Sequence, residues 1–142
     1  MKKPNQWDCK ILIFFNTNFK VSRLNGKVKV VKVTVAIDCG IAIHPDNIIA
    51  QTEGCVVMGL TAAYKSGLTI EKGKIVEQNF HNYELMRINE CPEIEVIVMK
   101  NNYAPEGVGE PGLPPEAPAL TNAIFNMTGT RIRVLPFNLN EI

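Results

Sequence analysis

The amino-acid sequence predicts an α+β domain, a mixed β-sheet with two main helices packed on it. Three observations carry this. Residues 28–37 hold Val28, Val30, Val31, Val33, Val35 and Ile37, a β-branched run that reads as a strand. Apolar residues then recur at helical spacing over residues 47–66. A second helical stripe, Leu120, Ala123, Ile124 and Met127, follows a loop rich in proline and glycine.

Taken in order, residues 1–9 are polar and unpatterned and read as a frayed end, and residues 11–15 as a short apolar strand. Asn16, Asn18, Ser22 and Asn25-Gly26 then supply turn chemistry, with Asn25-Gly26 a hairpin signal. Lys27, Lys29 and Lys32 alternate with the valines, so the next strand starts half exposed and ends buried at residues 36–40. Asp46 is the expected cap of the first helix. Ile49, Val56, Val57, Leu60, Ala63 and Tyr64 form its apolar face, Lys65 lies in its last turn, and Gly67 is placed to end it. Within it, Gly54 and Gly59 each cost about 1 kcal/mol relative to alanine, and they read either as close approach of another backbone or a ligand or as simple helix–helix packing. Residues 68–76 predict a hairpin around Glu71-Lys72-Gly73, residues 78–91 an irregular crossing, and residues 93–99 a strand. Pro114 and Pro115 suit the start of the second helix, Glu116 favours its positive end, and Gly129 stops it. Residues 131–135 read as a closing strand.

A chain of 142 residues is one domain by length, and its balance of 46% hydrophobic to 20% charged residues suits a globular core. A formal net charge of +1 with scattered lysines gives no electrostatic case for nucleic acid. Cys9, Cys39, Cys55 and Cys91 are far apart and form no CxxC pair, so they read as buried free thiols rather than as a zinc or iron–sulfur site. With His44 and His81 the only histidines, a histidine metal site is not expected either. No apolar run reaches transmembrane length, and Lys2-Lys3 is not followed by the apolar region of a signal peptide. As written, the chain is expected to have no membrane span and to be cytoplasmic.

The chemistry-bearing stretch is residues 104–116, where Glu110 stands between Gly109 and Pro111. Such a run is neither helix nor strand, so it is a shaped loop that presents the Glu110 carboxylate beside a helix N-terminus. The alternative reading of Glu110 is a solvated turn residue.

From about Asn25 onward the chain resembles the C-terminal part of the molybdopterin-binding large subunit of the xanthine dehydrogenase and aldehyde oxidase family, particularly its bacterial isoquinoline 1-oxidoreductase type. The resemblance rests on Ala36-Ile37-Asp38-Cys39-Gly40, His44-Pro45-Asp46-Asn47, Gln51-Thr52-Glu53-Gly54 and Asn79-Phe80-His81-Asn82-Tyr83. Gly107-Val108-Gly109-Glu110-Pro111 is its strongest piece, and Pro118-Ala119-Leu120-Thr121-Asn122-Ala123-Ile124 and Gly129-Thr130-Arg131-Ile132-Arg133 extend it. It implies oxidative hydroxylation of aldehydes or N-heterocycles at a molybdenum centre held by a pterin dithiolene. Glu110 is then the general base, and Gln51 the residue that contacts the cofactor near the metal. Gly107, Val108 and Gly109 are implied as backbone contacts, with Glu53 and Gly54 as weaker candidates. His44 departs from the family's usual asparagine and is given no role. His81 and Tyr83 are expected to pack or fix a loop, Cys39 to be a small buried residue, and Arg131 and Arg133 to be solvated.

The resemblance divides the chain into a divergent or poorly ordered segment, residues 1–24, and a piece of a cofactor-binding domain, residues 25–142. It implies molybdopterin, in the cytosine dinucleotide form, in the complete enzyme, and none bound to this chain alone. The implied partners are an upstream part of the large subunit and a small subunit carrying a [2Fe–2S] cluster. Self-association through uncovered surfaces is also expected. Two functional classes stay open: a piece of a hydroxylase, inactive alone, and a non-catalytic remnant or interaction module that keeps the fold.

Overall fold

The structure, a computed structural model, describes residues 14–24 and 27–142. The expectations for residues 1–9 and 11–13, for Cys9 and for the Asn25-Gly26 turn lie outside the described residues.

Strand β1 (Phe14–Leu24) pairs antiparallel with β2 (Lys27–Asp38). Asn16, Asn18 and Ser22, expected as turn residues, are instead part of this continuous strand. The reason is a period of two: exposed Asn16, Asn18 and Lys20 alternate with half-buried Thr17, Phe19 and Val21, and β2 satisfies the backbone along their length. Lys20 is opposite Lys32 and Val21 opposite Val30, which leaves Val31 as the extra residue of a bulge. The bulge reverses parity, so Val28 and Val30 before it and Val33, Val35 and Ile37 after it all face inward.

Strand β5 (Glu93–Val98) lies parallel to the other side of β2, giving a mixed three-stranded sheet in the order β1-β2-β5. Lys32 clasps this pair from the outer face, 2.8 Å from Glu93 and 2.9 Å from Glu95. The crossover between the parallel strands carries helix α1 (Pro45–Tyr64) and a small hairpin, β3 (Ile70–Glu71) and β4 (Lys74–Ile75). That hairpin turns through Lys72 and Gly73, both at positive φ, the geometry that a two-residue turn requires.

Helix α1 starts two residues earlier than its periodicity alone predicts. Its cap is His44, whose Nδ1 accepts from the Asn47 backbone N–H at 3.3 Å, while Asp46 sits in the first turn. The helix ends at Tyr64 with Lys65 as its C-cap, before Gly67 is reached, and the Lys65 ammonium is 2.6 Å from Glu90. Ile48 rather than Ile49 is its inner residue near the start, and Val56, Leu60 and Ala63 are fully buried. Helix α2 (Glu116–Thr128) buries Leu120 and Ile124 completely and stops at Gly129, whose φ of 77° is the left-handed cap. Both helices and the inner face of β2 enclose the main core.

The expected closing strand at residues 131–135 does not form. Those residues run as coil toward a short 3-10 helix (Leu139–Glu141). Arg131 folds back onto α2, its guanidinium 3.5 Å from the centre of the Phe125 ring and 3.2 Å from Asn122 Oδ1, so the segment stays with the helix rather than joining the sheet.

Candidate functional site

The loop that carries Glu110 is fastened from two directions. On the sheet side it is sutured to the end of β2: the N–H of Met99 donates to Ile37 O at 2.8 Å, that of Ile41 to Tyr103 O at 3.0 Å, and that of Glu106 to Cys39 O at 2.9 Å. Asp38 Oδ1 accepts from the Asn101 amide and, at 3.2 Å, from the Gly40 N–H. Gly40 is required at this corner, because its φ is 74° and a Cβ there would lie 2.1 Å from Ala104 O. Val108 then packs against the cluster of Ile37, Cys39 and Ile48, which gives the glycine-rich run an apolar foothold.

On the helix side the anchor is α1. Gln51 Nε2 donates to the carbonyl of Gly109, the residue before Glu110. Cys55, one turn further along the same face, holds its sulfur 3.7 Å from that carbonyl. Beyond Glu110 the chain tightens at once, with the Leu113 N–H donating to Glu110 O at 3.0 Å. Two clefts flank this clasp. One, of about 510 Å³, is lined by Glu110, Gln51, Gly54, Met58 and Leu113 among others. The other, of about 370 Å³, includes His44, Asn47, Gln51, Val108 and Gly109.

Of the five site residues that the sequence singles out, Glu110, Gln51 and Gly109 therefore meet, and Val108 adjoins them across the second cleft. Gly107 lines neither cleft. Glu110 is exposed, so its carboxylate is free to meet an incoming group. Glu53 and Gly54 lie in the third turn of α1, where helix N–H groups already have partners, so they offer no backbone donors to an anion. Gly54 instead lines the larger cleft, and a Cβ there would meet nothing within 4 Å. In residues 78–83 the loop is fixed chiefly by Asn82, which accepts from the N–H groups of Gln78 and Asn79 and donates to Val76 O.

Two residues of this region were given no part in the site by the sequence. Cys55 is legible only as the i+4 neighbour of Gln51 on a helix. Glu116 reads as a favourable helix-start charge, yet it is fully buried. Thr17 donates to its Oε1 at 3.2 Å, while Oε2 has no hydrogen-bond partner among the described residues. Burial pushes this carboxyl up from 4.5 to about 7, against the weaker opposing pull of Thr17.

The donor set suits a polar organic cofactor held by amide and backbone groups. Gly107 and Gly109 border open space, since a Cβ on either would meet nothing within 4 Å. Gln51 Oε1 has no partner among the described residues and remains an acceptor, and Gln51 lines the same cleft as Glu110. Among the described residues no group of three or more His, Cys, Asp or Glu side chains is placed to hold a metal ion directly. No helix among them is long and apolar enough to cross a membrane.

The profile of the family described as Molybdopterin cofactor-binding domain matches residues 15–92. The chain is 37% identical over 116 residues to a membrane-bound aldehyde dehydrogenase (pyrroloquinoline-quinone) of Gluconacetobacter polyoxogenes, covering 82% of this chain and 15% of that protein. It is 35% identical over 115 residues to isoquinoline 1-oxidoreductase subunit beta of Brevundimonas diminuta, covering 81% of this chain and 15% of the relative. The fold is shared with the aldehyde oxidoreductase of Desulfovibrio desulfuricans, at a TM-score of 0.76 and 23% identity over 91% of this chain and 15% of that one. The chain thus spans about a seventh of the length of these relatives. With more than half of its residues matched by the family profile, the chain belongs to the molybdopterin cofactor-binding domains of the xanthine dehydrogenase and aldehyde oxidase family.

Proposed function

We propose that this chain is the part of a molybdenum hydroxylase large subunit that carries the general base, Glu110, together with one wall of the cofactor cradle. The observation that carries the reading is the clasp of Gln51 on the Gly109 carbonyl, which brings an exposed carboxylate and a free amide acceptor to the same cleft. The pieces meet from positions 58 residues apart in sequence. Gln51 Oε1 and backbone groups of Gly107, Val108 and Gly109 would hold the molybdopterin, in its cytosine dinucleotide form. When bound, the cofactor supplies oxygen insertion at an electron-poor carbon of an aldehyde or N-heterocycle and takes up the two electrons released.

Glu110 contributes a carboxylate oxygen that accepts the proton lost in that step, which requires an ionised group within hydrogen-bond reach of the reacting centre. Its flanking residues serve this. Gly109 leaves room for close approach, Pro111 stiffens the exit, and the Leu113 N–H donates to the Glu110 carbonyl. The remaining cradle, and a small subunit with a [2Fe–2S] cluster to carry electrons away, are supplied by other sequence.

Glu110→Gln in the assembled large subunit is expected to lower turnover by at least about 10²-fold while leaving molybdenum content unchanged. Turnover near the wild-type rate rules out the base. The chain by itself is expected to retain no molybdenum in elemental analysis after purification, since it provides only one wall of the cradle; a stoichiometric amount overturns that part of the reading.

A further inference from the structure

Cys55 is buried at 6% exposure, and its sulfur is 3.7 Å from both the Gly109 carbonyl oxygen and Gln51 Nε2. We propose that Cys55 is a positioning residue, whose thiol joins the Gln51 amide in holding the Gly109 carbonyl and so fixes the peptide from which Glu110 projects. The inference rests on the reading of Glu110 as the base.

The peptide needs such a hold. Gly109 has no side chain, and nothing lies within 4 Å of where its Cβ would be, so packing does not fix its dihedrals. Its carbonyl has two lone pairs and accepts from two donors, the Gln51 amide and the Cys55 thiol. Both donors come from one helix face, four residues apart, and α1 is a 20-residue helix tied into the main core through Val56 and Leu60. The loop is thereby referenced to a rigid element.

Sulfur has a second effect. As a weak acceptor it faces Gln51 Nε2, and the Gly109 carbonyl faces the same nitrogen, so both neighbours select the amide orientation with nitrogen inward. The reverse orientation would set Oε1 against a carbonyl oxygen. Cys55 therefore also keeps Gln51 Oε1 available as an acceptor. A thiol is a weak donor, and the expected effect is correspondingly modest in size but local in place.

The test uses the 142-residue chain and needs neither molybdenum nor turnover, so its outcome is separate from that of Glu110→Gln. Cys55→Ala and Cys55→Ser leave nearly the same space and differ in one hydroxyl donor. Amide hydrogen exchange by NMR reads the loop at the Leu113 N–H, bonded to Glu110 O, with the α2 amides of Leu120 and Ile124 as the gauge of the core. Cys55→Ala is expected to speed exchange at Leu113 by about threefold with the α2 amides unchanged, and Cys55→Ser to restore the wild-type rate. The proposal is overturned by an unchanged Leu113 rate in Cys55→Ala, by equal acceleration in both variants, or by acceleration that extends equally to Leu120 and Ile124.

Discussion

Glu116 shows how a single side chain sets a pH dependence. Its carboxyl is buried between Thr17 of β1 and Gly59 of α1, and burial raises it to about 7. The unfolded chain gives up that proton near pH 4.5, whereas the folded chain keeps it to about pH 7. In that window the folded state binds more protons than the unfolded state, so the contribution of Glu116 is fully present below pH 4.5 and is lost as pH rises through 7. The loss amounts to about 3 kcal/mol, the free energy of roughly 2.5 pKa units. Urea midpoints are therefore expected to fall between pH 5 and pH 8 in the wild-type chain and to change much less in Glu116→Gln. Equal slopes in the two proteins would remove Glu116 as the cause. The sequence shows an acidic residue at a helix start, which is ordinarily a solvated and favourable arrangement. Its burial follows from three segments far apart in the chain, and no neighbour in sequence records it.

At the scale of elements, the two glycines of α1 are expected to answer alanine substitution with opposite signs. A Cβ on Gly59 would lie 2.7 Å from both Cβ and Cγ of Glu116, so α1 and α2 touch there with no room to spare. Gly59→Ala gains about 1 kcal/mol of helix propensity but forces the helices apart, at a cost of about 1–3 kcal/mol, and the melting temperature should fall. A Cβ on Gly54 meets nothing within 4 Å, so Gly54→Ala should stabilise by about 1 kcal/mol and raise the melting temperature by about 3 °C. Thermal unfolding of the two variants checks the pair, and a shared sign would refute the assignment of Gly59 to helix packing. Both glycines are legible in the sequence as anomalies within a helical pattern. Which of them faces a helix and which faces a cleft is settled by the rotation of α1 about its axis, and that is set by packing of Ile48, Thr52 and Val56. The bulge at Val31 is similar in kind: the valine run shows a strand, but the parity change needs the register against β1.

For the molecule as a whole, the apolar surface left uncovered is extensive for a small domain. Ile88 is 96% exposed, and Ile43, Phe80 and Val134 are each more than two-thirds exposed. In relatives more than five times as long there is ample chain to cover such positions. On its own the 142-residue chain is expected to self-associate as concentration rises, with sedimentation coefficients that increase accordingly. A single monomeric species at every concentration would count against this.

The sequence by itself determined the parts that depend on neighbours along the chain. These are the two helices with the Gly129 stop, the valine strand, the Lys72-Gly73 turn, and a glycine-flanked carboxylate on a loop that is neither helix nor strand. Periodicity and turn chemistry are local properties, and they survive without knowledge of what lies across the core. Only the tertiary structure decided that Asn16 and Asn18 belong to a strand, that His44 caps α1, that Arg131 turns back to Phe125 instead of entering the sheet, and that Glu116 is buried. It also decided that Gln51 and Cys55 reach the peptide before Glu110. The physical reason is the same in each case: these outcomes are fixed by which partner supplies a hydrogen bond or excludes water. Those partners come from segments of chain whose meeting is decided only when the helices close over the sheet.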